Sequence, residues 1–515
     1  MSRLSVLLTT EGTYPYHRGG VSTWCHALTH ELSEIDFTLL AVTMHPYLES
    51  QYALAPNVRG VVTVPLWGTE DPAEYGDHAS FPDYLQRRWS TTRKDVEQEY
   101  LPSCATFLAE VVEPSLPARA LGLTLLRMHQ HFRHFDYHRT QTHSLVWDVF
   151  VDTMRSAWRK AQPNEPPPSL TDLADASRVL HRLLLPLAIE TPRVDLTHSA
   201  AAAFCGLPCI IAKLRYNTPY LLTEHGVYLR EQYLNLGRSI KSMFVRWFLF
   251  RLINTINHVN YAFADQISPV CQYNTRWEVW RHAEPERIRV IYNGVNPEKF
   301  RPGIRTPHDR PTVVNVGLIF PLKGQLDLIE AAALVRHSTP NVEFRFYGSP
   351  SDEDYYRECR QRIEELSLQN TVVFAGTTKE PWLALQQADV VALASVSEAF
   401  PYALVEAMLT RAAIVATDVG GVREALGDAG LLVYPRQPVA LAEAIGTLLR
   451  WPEGRERFGA RARDRALRWF TEQRFVDAYR TSYDRLVQPP ASEATEPEEA
   501  GWIGDAQQTP ALAIA

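Results

Sequence analysis

Short apolar runs recur along this chain, separated by loops and by stretches with helical periodicity, a rhythm that calls for layered parallel α/β structure. Leu4 to Leu8 is the first run. A Gly19-Gly20 loop and a helix-like stretch from Ser22 to Leu32 follow it, and then a second run from Phe37 to Val42. Val58 to Leu66 reads as a third strand. Strand-like runs resume at Asp195 to His198, Cys209 to Ile211, Tyr220 to Thr223 and Ile288 to Ile291. The alternation then repeats, with runs at 312–316, 342–347, 372–374, 390–394, 413–416 and 430–433 and helical patterns between them. The expected fold is α/β, with two Rossmann-like doubly wound domains facing a cleft at the carboxyl ends of their sheets, where open α/β sheets hold ligands.

At 515 residues the chain exceeds a single ordinary core, in keeping with two domains. Residues 70–190 break the rhythm: rich in charge, histidine and aromatics, they read as a helical insertion in the first domain. The domains are expected at 1–295 and 296–465, with a helix at 466–487 packing back on the first. A disordered tail is expected at 489–515, which has little apolar periodicity. A net charge of −7 argues against a nucleic-acid partner. No apolar run reaches the length of a membrane span, and the N-terminus turns polar too soon for a signal peptide. Cys25, Cys104, Cys205, Cys209, Cys271 and Cys359 form no CxxC pair and read as reduced thiols of a cytoplasmic protein.

Glu398 and Glu406 are the leading candidates for chemistry. Glu398 lies in the loop leaving the run Val390 to Ala394. Glu406 lies in the helix-like run after it, with Pro401 suited to that helix's first turn. Two acids placed this way can accept hydrogen bonds from several hydroxyls, which suits a polyol such as a sugar nucleotide. Spacing alone also fits a solvated acid followed by an ordinary acid near a helix start.

Four segments carry a resemblance. They are Ile291-Tyr292-Asn293-Gly294-Val295-Asn296, the loop from Val316-Gly317 to Leu322-Lys323-Gly324, the stretch Ser397 to Met408, and Thr417-Asp418-Val419-Gly420-Gly421-Val422-Arg423-Glu424. In this order they resemble the retaining glycosyltransferases of GT-B fold in family 4. Thr10 to Trp24, with Arg18-Gly19-Gly20, and Leu222-Thr223-Glu224-His225-Gly226-Val227-Tyr228 resemble the PelF-like subgroup, which serves Pel exopolysaccharide synthesis.

The resemblance implies a metal-independent, retaining hexosyltransferase with no cofactor. Its donor is a nucleotide sugar, a UDP-sugar by preference, and its acceptor a growing exopolysaccharide or related glycan. It also implies a membrane-bound polysaccharide synthase complex as a candidate partner, and a cytoplasmic protein that can sit peripherally at the inner membrane face. His225 and Glu398 would contact the transferred sugar, and Glu406 the ribose. Lys323 would meet the diphosphate in a loop flanked by Gly317 and Gly324. Gly420 and Gly421 would precede a helix start that offers N–H groups to phosphate. Ala399, Phe400 and Pro401 complete the acid loop, and Gly19 and Gly20 a loop beside donor and acceptor. One departure stands out: the family follows the Gly317 glycine with an arginine, and this chain has Leu318. A leucine cannot supply that charge, so the alternative reading is a catalytically impaired scaffold that binds nucleotide sugar or a membrane partner.

Two features stand apart from these motifs. His129, His131, His134, His138 and His143 lack a matched acidic or thiolate shell and read as a histidine face rather than a metal site. Ile240 to Phe250 mixes basic and bulky apolar residues, which fits a buried helix with snorkelling cations better than a membrane-resting one.

Overall fold

The apolar runs build two separate parallel sheets in a computed structural model that describes residues 3–69, 80–304 and 310–488. The first sheet contains β1 (Ser5–Glu11), β2 (Asp36–Thr43), β3 (Val58–Pro65), β4 (Leu196–Ser199), β5 (Tyr220–Glu224) and β6 (Gln266–Pro269), in the order β3-β2-β1-β4-β5-β6. The second contains β7 (Thr312–Val316), β8 (Glu343–Tyr347), β9 (Val372–Gly376), β10 (Val390–Leu393), β11 (Ile414–Thr417) and β12 (Leu431–Val433), in the order β12-β11-β10-β7-β8-β9. Both sheets start in the middle, run to one edge, cross back and run to the other, which is the doubly wound topology expected. Leu8 of β1 pairs with Leu39 of β2 on one side and His198 of β4 on the other. β4, β5, β10 and β11 are buried along their whole length, as central parallel strands covered on both faces must be.

The chain groups into two units. One holds residues up to Val270, Thr275–Ile291, and the turns from Ala478 of the helix Glu472–Val487; the other holds Cys271–Asn274 and Tyr292–Asp477. The main division thus falls at Ile291 and Tyr292. The helix expected at 466–487 is two helices, Pro452–Trp469 and Glu472–Val487. They are broken where Val295 donates its N–H to Phe470 O and accepts from Glu472 N–H. Phe470 is buried at the break against the rings of Tyr292 and Phe400. Tyr479 and Tyr483 are fully buried in the first unit, bonding Thr223 Oγ1 at 2.9 Å and His198 Nδ1 at 2.6 Å.

Between β3 and β4 the chain is helical, with Leu101–Val112, Ala118–His134, Ser144–Ala161 and Leu170–Leu183 as its longer members. Local chemistry starts one of them cleanly: Ser169 accepts from Asp172 N–H, while the Asp172 carboxylate accepts from Ser169 N–H. Phe107, Met128, Phe150 and Met154 of this block share one core with Phe248 and Leu252 of the helix Met243–Phe263 and with Leu7 and Leu40 of the sheet. The insertion therefore completes the first unit's core. Residues 70–79 within it, and the tail expected at 489–515, lie outside the described residues.

Three readings change. Cys209–Ile211 is not a strand but part of the helix Leu207–Tyr216, with Pro208 in its first turn. So short an apolar run cannot separate a buried helix from a buried strand. Ile288–Ile291 forms no strand and contributes one isolated bridge, Ile267 to Ile288. β6 was not anticipated, because its Gln266 and Ser268 are polar; both are fully buried, and Gln266 Nε2 donates to Ser268 Oγ and Ser482 Oγ.

Phe244, Val245, Phe248 and Leu249 are buried. Arg251 donates to Val112 O and lies over Trp247 at 4.9 Å, so from Met243 to Phe250 the stretch belongs to a core helix. Among the described residues no helix is long and apolar enough to cross a membrane.

Asn57 ties down the end of the helix Gly20–Glu31. It is buried, and its Nδ2 donates to Thr29 O and Leu32 O at 3.0 Å and to Ile35 O at 2.8 Å, satisfying carbonyls that the helix end leaves open. Asn57→Leu should cost about 2 kcal/mol by leaving these acceptors dry. The check is a lowered thermal transition; a variant that melts with the wild type would contradict this account.

Candidate functional site

In the second sheet the strand order reverses between β7 and β10, the kind of point at whose strand ends open α/β sheets hold ligands. Three loops meet there: Gly317–Gly324 after β7, Ala394–Pro401 after β10 and Asp418–Gly421 after β11. Val396 N–H donates to Leu322 O at 2.8 Å, and Gly421 N–H to Ala399 O at 2.7 Å. Glycine is required at two contacts. Gly324 has φ 65°, and a Cβ there would lie 2.0 Å from Ala394 O; Gly420 has φ 56°, and its Cβ would lie 1.7 Å from Glu398 O.

This packing brings Lys323 and Glu398 together. Lys323 Nζ lies 2.6 Å from Glu398 Oε1, and Ser395 Oγ donates to the same oxygen at 2.7 Å. The Glu398 side chain is 10% exposed and the Lys323 side chain 32%, so the pair is largely withdrawn from water yet still reachable. Ser395 was not singled out from the sequence; its place three residues before Glu398 is the available signal. Leu318 is 42% exposed in the same loop, while its carbonyl accepts from Gln325 Nε2. Gly317 donates its N–H to Tyr347 O at the end of β8.

Glu406 sits half-buried in the helix Tyr402–Leu409. Burial pushes its pKa up to about 7, with the charge of Lys299 pulling the other way. Pro401 stands just before this helix rather than in its first turn. Phe400 is buried, ringed by Tyr292 and Phe470, and its carbonyl accepts from Asn293 Nδ2 at 3.0 Å. Its side chain thus anchors the acid loop from below. The Gly420-Gly421 turn leads into a helix. Gly421 N–H is taken by Ala399 O and Val422 N–H by Val419 O, and the helix that follows, Val422–Leu426, is a single short turn. Both glycines also allow a close approach of backbones, to Glu398 O and Ala399 O.

Glu424 is a residue whose role the sequence did not disclose. Its carboxylate accepts from Gln272 N–H at 2.7 Å, Tyr273 N–H at 3.1 Å and Tyr292 OH at 2.6 Å.

Gly19, Gly20 and His225 belong to the first unit. Gly19 and Gly20 are exposed where the loop after β1 enters the helix Gly20–Glu31. A Cβ on Gly19 would meet nothing within 4 Å, so its own unit does not require the glycine. His225 follows β5 and stands edge-on to Trp24 at 4.7 Å. Burial lowers its pKa to about 3, leaving a neutral imidazole whose buried Nε2 has no hydrogen-bond partner.

Three histidines of the stretch 129–143 have structural employment. His129 Nδ1 bonds Leu187 O, His131 Nε2 bonds Thr140 Oγ1, and His143 Nδ1 accepts from Leu145 N–H at a helix start. Among the described residues no three His, Cys, Asp or Glu side chains converge as metal ligands would. All six cysteines are buried free thiols.

Comparison with known proteins places these features. Residues 296–465, which hold the Lys323–Glu398 pair and Glu406, match the family model described as Glycosyl transferases group 1. The D-inositol 3-phosphate glycosyltransferase of Corynebacterium urealyticum is 32% identical over 217 residues, covering 38% of this chain and 51% of that protein. The chain spans about half the length of the curated relatives it matches. Sucrose-phosphate synthase from Thermosynechococcus elongatus superposes with a TM-score of 0.60 at 17% identity, over 94% of this chain and 99% of that one. Anabaena Alr3699/HepE in complex with UDP does so with a TM-score of 0.57 at 16% identity, over 94% and 100%. At these identities the likeness is one of fold, the two-sheet α/β fold of GT-B proteins. Residues 4–286 match the model described as Domain of unknown function (DUF3492), and by that match over more than half its length the chain belongs to the DUF3492 family, with a glycosyl transferases group 1 domain behind it.

Proposed function

We propose that this chain is a glycosyltransferase that takes a nucleotide sugar, a UDP-sugar by preference, as donor. The observation that carries the reading is the Lys323–Glu398–Ser395 cluster at the point where the second sheet's strand order reverses, with Glu406 the fifth residue of the next helix. Before the donor arrives, Lys323 and Glu398 compensate one another's charge. On binding, the donor's sugar hydroxyls engage Glu398 and its diphosphate engages Lys323. The lysine then stabilises charge that grows as the sugar–phosphate bond breaks. Glu406 accepts from the ribose hydroxyls. The transfer retains anomeric configuration, with the departing phosphate assisting attack from the same face. It needs no metal, since the cationic role falls to Lys323. The transferred group is a hexose and the acceptor a growing exopolysaccharide or related glycan. A cytoplasmic protein working beside a membrane-bound polysaccharide synthase fits that role.

Leu318 favours a second reading, a nucleotide-sugar-binding scaffold with weak or no turnover, because an exposed leucine stands where the resembled family has an arginine. Calorimetric titration with UDP-, GDP- and ADP-sugars in the presence of a chelator, followed by an assay for nucleotide release, separates the two. Binding with turnover supports the transferase, binding alone the scaffold, and no binding sinks both. Glu406→Ala should weaken donor binding at least tenfold, and Lys323→Ala should reduce transfer more than binding of the free nucleoside; unchanged affinity in the first would remove Glu406 from the site.

The raised pKa of Glu406 gives a check on stability. A folded-state pKa near 7 against an ordinary 4.5 means folding favours the protonated acid. That contribution is complete below pH 4.5 and is lost as pH rises through 7. Glu406→Gln, neutral at every pH, should therefore gain stability over the wild type between pH 5 and pH 8, by about 2 kcal/mol. A difference in melting temperature that stays flat across that range would overturn the assignment.

A further inference from the structure

Two adjoining cavities in the first unit lie apart from every residue assigned above. The helix Met243–Phe263 presents Trp247, Phe250, Arg251, Asn254 and His258 at helical spacing along one side. The helix Gln272–Trp280 ends beside it in Trp280, and the chain turns through His282 at φ 65°. One cavity, of about 340 Å³, is lined by Leu229, Trp247, Phe250, Arg251 and Trp280 together with Asn254 and Arg281. The other, of about 290 Å³, is lined among others by Ser115, Thr255, His258 and His282, and again by Asn254 and Arg281. Asn254 and Arg281 thus form a shared wall. On one side of it the lining is largely aromatic and aliphatic; on the other, His258 and His282 join Arg281 beside Pro114, Leu116 and Leu121.

The charges here are unbalanced. The one carboxylate of the polar cavity, Glu110, is already satisfied by Ser115 N–H and Leu116 N–H at 3.0 Å and by Ser115 Oγ at 2.7 Å. Among the described residues Arg281 has no carboxylate within ion-pair distance. Its guanidinium lies over the Trp280 ring at 5.7 Å and donates one long hydrogen bond, 3.4 Å from Nη2 to Asn254 O, while its buried Nε has no hydrogen-bond partner. Arg251 rests on a carbonyl and on the Trp247 ring, with the charge of Glu113 near it but not in an ion pair. A partly buried guanidinium without a counter-charge is destabilising unless something completes it. Trp280 is 61% exposed at the mouth of the aromatic cavity, a large apolar surface left in water.

We propose that the two cavities form one binding site for an anionic amphiphile: a phosphate-type head on Arg281, His258 and His282, and an alkyl or isoprenoid chain among Leu229, Trp247, Phe250 and Trp280. The head supplies the missing counter-charge, and the chain covers the exposed indole. A pocket with an apolar body and a few convergent polar groups is the usual form of a small-molecule site. The apolar cavity offers few polar partners to a nucleobase, which distinguishes its ligand from a second nucleotide.

Dodecyl phosphate below its micellar concentration tests this, titrated into the full chain by calorimetry and by the fluorescence of its tryptophans. The expected result is saturable one-to-one binding, with dodecanol, inorganic phosphate and UMP each at least tenfold weaker. Arg281→Gln should weaken binding at least tenfold without lowering the melting temperature, since it removes an uncompensated charge. Phe250→Ser provides the apolar arm, with far-ultraviolet circular dichroism confirming its fold, and should also weaken binding. Non-saturable binding, equal binding of UMP, or an Arg281→Gln protein that binds as tightly as the wild type would overturn the proposal. Competition by phosphatidylglycerol vesicles would identify a membrane lipid as the source of the ligand, and its absence a free amphiphile; either outcome accompanies, and does not replace, the binding result.

Discussion

The candidate donor site depends on how closely three loop backbones approach one another at the carboxyl ends of β7, β10 and β11. Gly324 rests against the carbonyl of Ala394 and Gly420 against that of Glu398, at separations where a Cβ would overlap the oxygen. Both glycines adopt positive φ, which side-chain-bearing residues resist. The sheet reverses its strand order between β7 and β10, and the loop after β11 packs onto the loops leaving that point. Lys323 and Glu398, 75 residues apart, form a short ion pair as a result. The geometry is set by backbone packing beneath the pair, with Phe400 buried as the anchor of the acid loop.

The polar groups of the second unit divide into two kinds. Some are used up in holding loops: Asn293 on Phe400 O, Asn315 on Ala392 O, and Glu424 on two backbone amides and a tyrosine hydroxyl. Others keep capacity to bind. Glu398 accepts from Lys323 and Ser395 through a single carboxylate oxygen, and Glu406 sits near its protonation midpoint at neutral pH because burial opposes its charge. Perturbed acids of this kind gather at functional sites more often than elsewhere. The first unit shows the same division. Glu110 is satisfied by a turn and His129 by a carbonyl, whereas His225 Nε2 and Arg281 Nε are buried without partners.

Much of this was legible in the amino-acid order. The apolar runs Leu4–Leu8 and Phe37–Val42 lie in buried parallel strands, and each strand read in the second half lies within a residue or two of its place in the structure. Burial on both faces leaves so plain an apolar signature that neighbouring structure is hardly needed to read it. Glu398 and Glu406 could be singled out by their eight-residue spacing across a strand end and the helix after it, and Lys323 through the resemblance. Illegible were elements whose character comes from their surroundings. Gln266 and Ser268 look like loop residues until Ser482, more than 200 positions away, completes their hydrogen bonds. Cys209–Ile211 looks like a strand until Pro208 starts a helix there.

What the sequence determined by itself, then, is the alternation of buried strands with helices and the kinds of side chain placed at the strand ends, because these follow from local periodicity and residue chemistry. Only the tertiary structure decided that Ser395 joins Lys323 on one oxygen of Glu398, that the Gly421 amide holds the acid loop, and that among the described residues Arg281 stands without an ion-paired acid between two cavities. Those outcomes depend on which distant backbones come within a few ångströms and on how much water their packing excludes, and no stretch of chain specifies either alone.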